Sequence, residues 1–119
     1  VVAWDGGRAA ARALADAMQI LETEVSVEIV SVGRSPLAGS LPGINVQTIL
    51  DRHDVNVTLT ELPRSRKSIA DTLVDHCENA GAGLLVMGAY EHSPLREGLI
   101  GGVTHDIALR ASIPVLMSH

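Results

Sequence analysis

Short runs of consecutive apolar residues alternate along this chain with longer stretches in which apolar residues return every three or four positions. Residues 1–4 (Val-Val-Ala-Trp) open on such a run, a first strand, and Gly6 and Gly7 break it. Residues 8–22 are rich in alanine and place Ala10, Leu14, Met18 (or Ala17) and Leu21 on one helical face. Residues 25–32 are strongly β-branched, a second strand. Residues 33–43 carry three Gly and two Pro and form a loop longer than most connections, a candidate flap or partner contact. Asn45 is the expected cap of a helix running to about residue 53, with Val46, Ile49 and Leu50 inward. Asp54 follows where Gly or Asn would usually end a helix, and Asp tolerates that left-handed conformation better than most residues.

The second half repeats the alternation. Residues 55–60 (Val-Asn-Val-Thr-Leu-Thr) have period two, a strand with one less buried face. Residues 63–67 turn the chain, and either Ser65 or Ser68 can cap a helix to about Asn79 whose apolar positions are Ile69, Leu73, Val74 and Cys77. Gly81 and Gly83 stop it. Residues 84–87 are uninterruptedly apolar, as in a strand buried on both faces; residues 103–111 form the last helix and residues 114–117 the last strand. Strands alternating with helices imply right-handed crossovers and an α/β fold, a five-stranded parallel sheet with helices on both faces. Residues 1–119 suit one domain, and a chain of this size buries roughly 65% of its unfolded surface without a disulfide or a metal. With no Phe, one Trp and one Tyr, the core must be aliphatic, which suits thin helix-on-sheet layers.

A formal charge of −5, with no basic run interleaved with aromatics, argues against nucleic acid as a partner. Arg64, Arg66 and Lys67 are the one local basic group, read as a solvated loop. The single cysteine, Cys77, rules out an internal disulfide and suggests a reducing compartment; its spacing from Leu73 marks a small core residue. No apolar run is long enough to span a membrane, so a cytoplasmic location is expected and no membrane partner. The chain begins at Val1 on a strand already under way, as a piece of a longer protein would.

In an open parallel sheet, ligands bind beyond the carboxyl ends of the strands where strand order reverses. With the order 3-2-1-4-5, that point lies between the first and fourth strands, so Asp5 and Gly88 face each other across the crevice. A carboxylate at a strand end accepts hydrogen bonds from a ribose hydroxyl or an adenine amine. Gly88 lets backbone approach a sugar, Gly101 and Gly102 offer N–H groups to a phosphate, and Thr104 adds a hydroxyl. Each feature has a plain structural counterpart: Asp5 tying down a turn, Gly88 ending a strand, Gly101-Gly102 making a tight entry to the last helix.

The run Val-Val-Ala-Trp-Asp-Gly, Leu-Leu-Val-Met-Gly-Ala-Tyr from residue 84, His92-Ser93-Pro94-Leu95-Arg96-Glu97, Gly101-Gly102-Val103-Thr104 and Ile113-Pro114-Val115-Leu116 together resemble a universal stress protein domain. The likeness covers nearly the whole chain and is weakest over residues 33–43. It implies a Rossmann-like sheet of order 3-2-1-4-5, found as a dimer or as two fused copies, and the present chain would suit one half of a tandem protein. Members that bind ATP share the pattern Gly, two residues, Gly, nine residues, Gly, then Ser or Thr. Gly88 and Gly101 match it, whereas Glu91 replaces the second Gly and Gly102 the Ser or Thr. By resemblance, Asp5 and the backbone of Val32 would contact adenosine, Gly88 the ribose, and Gly101, Gly102, Val103 and Thr104 the phosphates of ATP or another adenine nucleotide, with Met87 a further binding position. Glu91 opposes this. Two like charges about 5 Å apart repel by roughly 3 kcal/mol at an effective dielectric near 20. Pairing with Arg96, or a bridging cation, would relieve it; the site is weakened rather than erased, and holds no nucleotide if Glu91 blocks it.

No nucleophile elbow, zinc-protease helix, Cys-x-x-Cys or Lys-containing phosphate loop is present. His92, His105, Asp106 and Glu91 could gather around the last loop, where surface polarity explains them more simply than a metal. Three readings follow: a stress-response module that senses adenine nucleotide, a nucleotide-independent module for pairing and partner contact, and a weak ATPase with at most slow hydrolysis and no catalytic residue to name. A homodimer or tandem pairing is expected through Val115, Leu116 and Met117, an apolar edge with unpaired backbone groups.

Overall fold

The computed structural model describes residues 1–23, 26–33, 46–89 and 102–119. Among these, five strands alternate with four helices: β1 (Val2–Ala3), α1 (Arg8–Leu21), β2 (Val27–Val32), α2 (Val46–Asp51), β3 (Val57–Leu62), α3 (Ile69–Ala80), β4 (Leu85–Gly88), α4 (Val103–Arg110) and β5 (Val115–Ser118). The strands form one sheet in the order β3-β2-β1-β4-β5, every neighbouring pair parallel, as the alternation predicts.

Two apolar layers enclose the sheet. On one side Ala10, Ala13, Leu14, Ala17, Met18 and Leu21 of α1 pack with Val46 and Leu50 of α2 against Val2, Ile29 and Val86. On the other, Ala70, Leu73 and Cys77 of α3 and Ile107 of α4 pack against Val30, Leu85 and Met87. All the positions expected inward on α1 are buried, and Trp4 closes that layer at 4% exposure. Successive residues of one strand serve opposite layers, Ile29 and Val30 being the plainest case, and with Val86 on one side and Leu85 and Met87 on the other β4 reads as a continuous apolar run.

Local signals act as their chemistry predicts. Of the two candidate caps, Ser68 is the one used: its Oγ accepts from the Asp71 N–H at 3.0 Å, while the Ser65 Oγ accepts from the Lys67 N–H at 3.1 Å and shapes the turn before it. Asp54 is the one non-glycine residue of positive φ (54°) among the described residues, at the end of α2 where it was expected. β3 is less buried than the inner strands, with Leu59 41% exposed, because it borders the sheet. Cys77 is free and buried, and burial pushes its thiol up, so it serves as core. The loop over residues 34–43 and the cap Asn45 lie outside the described residues, as do Tyr90, Glu91, His92, Arg96 and Gly101. No helix among the described residues is long and apolar enough to cross a membrane.

Candidate functional site

The strand order reverses between β1 and β4. The chain leaves β1 toward β2 and β3 on one side, and β4 and β5 lie on the other. Ala3 pairs with Val30 and Val2 with Val86. Carrying that register forward places Asp5 level with Val32 on one side and Ala89 on the other, so three of the predicted positions, Asp5, Val32 and Gly88, converge at one carboxyl edge. The backbone holds this edge firmly: the Trp4 N–H donates to the Val30 carbonyl at 2.8 Å, and the Ala89 N–H to the Ser118 carbonyl at 2.8 Å.

Asp5 is exposed, and its Oδ1 accepts from the Gly7 N–H at 2.8 Å. The carboxylate therefore makes a local turn between β1 and α1, the plain role weighed for it. A side chain so fixed is held at the strand end. Gly7 is the residue before α1 and offers no side-chain cap.

Gly88 has a reason to be glycine that strand–helix periodicity did not show. A Cβ there would stand 2.6 Å from the Ala10 nitrogen, 2.7 Å from the Ala9 carbonyl carbon and 2.9 Å from the Ala9 Cβ. The end of β4 thus lies directly against the first turn of α1, and the missing side chain is demanded by packing whether or not a sugar is bound. The available signal was the small pair Ala9-Ala10 opening the helix. Met87 is buried in the α3-side layer, so its side chain belongs to the core.

On the opposite rim Gly102 immediately precedes α4 with φ 146° and ψ 174°, a conformation nearly confined to glycine. Its carbonyl accepts from the Asp106 N–H at 3.0 Å, starting the helix. A Ser or Thr could not take this backbone without strain, so Gly102 is a local structural choice and not only a lost hydroxyl. Val103 and Thr104 are half-buried in the first turn of α4, next to it. His105 Nδ1 lies 3.7 Å from Asp106 Oδ1 at the surface, and no group of three metal-ligating side chains is assembled among the described residues.

A parallel sheet covered by helices on both faces, with strand order reversing between β1 and β4, defines a Rossmann-like α/β domain. The sequence profile of the universal stress protein family matches residues 47–119, and the chain belongs to that family. Among solved structures, a universal stress protein from Archaeoglobus fulgidus is similar with a TM-score of 0.72 at 22% identity, covering 98% of this chain and 95% of the other. A universal stress protein solved in complex with cAMP is similar at 0.73 and 23%, covering 99% and 93%. A family member from Burkholderia pseudomallei gives 0.68 and 24%, covering 98% and 91%. At these identities the structures establish the shared Rossmann-like fold. No curated protein sequence matches significantly.

Proposed function

We propose that residues 1–119 act as one domain, a cytoplasmic stress-response module whose crevice takes an adenine nucleotide weakly. The observation that carries this reading is the level alignment of Asp5, Val32 and Ala89 at the switch point, with Gly88 and Gly102 on its rim. Asp5 and the Val32 backbone would meet the adenosine, the backbone of Met87 and Gly88 the ribose, and Gly101, Gly102, Val103 and Thr104 the phosphates. The cAMP complex of a fold neighbour supports a nucleotide as the class of ligand. Glu91, in the loop that would bear the phosphates, sets the affinity low by like-charge repulsion. Mass spectrometry of small molecules released from the natively purified, acid-denatured protein, followed by calorimetry with ATP and AMP, tests the reading. Binding heat below millimolar nucleotide is expected, and Glu91→Gly should tighten binding; a stoichiometric nucleotide with micromolar rebinding would mean that Glu91 is accommodated. An empty protein without binding heat at millimolar nucleotide would overturn it. Phosphate release above a heat-killed control would be needed for slow ATP hydrolysis.

A second reading, pairing of two copies independent of nucleotide, is favoured by β5. This strand borders the sheet, all four of its residues are half-buried, and its outer backbone groups have no neighbouring strand among the described residues. Val115, Leu116 and Met117 would form that contact.

A further inference from the structure

We draw no further inference here: the strongest candidate, the small cleft between α3 and the turn from α4 into β5, lined in part by Val74, Cys77, Leu85 and Ile113, rests on a lone buried cysteine with no second observation that points to a ligand.

Discussion

A methyl group on Gly88 would stand 2.6 Å from the backbone nitrogen of Ala10, closer than carbon and nitrogen approach without a bond. The first glycine of the nucleotide pattern is therefore held in place by the fold itself. β4 ends where α1 begins, and only a residue without a side chain lets the two meet. A glycine at this position does not by itself report a ligand, because the same atom would be missing from an empty crevice.

Gly88→Ala should consequently destabilise the protein even without nucleotide. The clash is with helix backbone, which cannot rotate away as a flexible side chain would. Overpacking of this kind costs about 1–3 kcal/mol. Urea unfolding of the two proteins should show a lower midpoint for the variant with an unchanged slope. An unaltered midpoint would mean that α1 shifts freely and that the contact is not a constraint.

Gly102→Ser restores the hydroxyl that the family pattern has at this position, and it should not restore phosphate affinity. Residue 102 has φ 146° and ψ 174°, and a side chain there costs on the order of 1–3 kcal/mol. The cost falls at the entry to α4, so the last helix should lose amide protection before the rest of the molecule does. Hydrogen exchange at Asp106, whose N–H donates to the Gly102 carbonyl, reads this directly. Exchange no faster than in the wild type would show that the entry relaxes without strain.

The fold was legible because its signals are local and agree. Ala10, Leu14, Ala17, Met18 and Leu21 mark one helical stripe, and all are buried; Ser68 and Gly81 bound α3 as cap chemistry requires, the glycine at φ 65°. The site was legible as a place but not as a set of jobs. Asp5 and Gly88 could be set at the crevice from strand order alone, whereas the turn bond from Asp5 to Gly7 and the packing of Gly88 on Ala10 depend on three-dimensional proximity that no spacing encodes. Arg64 shows the same limit. In sequence it was one of three loop cations, and only the structure lays its stem over Gly33 beside Val32. The boundary of β3 also moved toward Leu62, since edge pairing to β2, not alternation, sets where that strand ends.

Acid should weaken the attachment of α3 to the sheet. Glu28 of β2 is half-buried against α3, where His76 Nε2 lies 3.0 Å from its carboxylate, and Thr60 of β3 donates to the same group. Burial by itself pushes this carboxyl up, but the hydrogen bonds from Thr60 and His76 and the positive charge of His76 together outweigh it and hold the group below its ordinary 4.5. A folded-state value below the unfolded one gives stability that is complete above the unfolded value and lost as pH falls through the folded one. The urea midpoint should therefore decline between about pH 5 and pH 3, the range of ordinary carboxylate titration and below. Asp71, lowered by its hydrogen bonds to Ser68 and Arg110, contributes with the same sign, so Glu28→Gln should flatten the decline only in part. An identical pH profile for Glu28→Gln would show that the contact adds nothing.

Pairing through β5 makes a prediction that distinguishes alternate amides of one strand. The Pro114 carbonyl accepts from the Leu85 N–H at 3.0 Å and the Ser118 carbonyl from the Ala89 N–H at 2.8 Å, so residues 114 and 118 turn their backbone groups toward β4. Parallel strands alternate the direction of these groups from residue to residue, which turns Leu116 toward β4 as well, and Val115 and Met117 toward the open edge. In a monomer the amides of Val115 and Met117 should exchange rapidly while that of Leu116 is protected. In a dimer joined along this edge all three should be protected, and for Val115 and Met117 the protection should grow with protein concentration in step with the sedimentation coefficient. Concentration-dependent sedimentation with fast exchange at Val115 and Met117 would place the interface elsewhere. A sedimentation coefficient that stays monomeric at high concentration would leave the edge of β5 unpaired in solution.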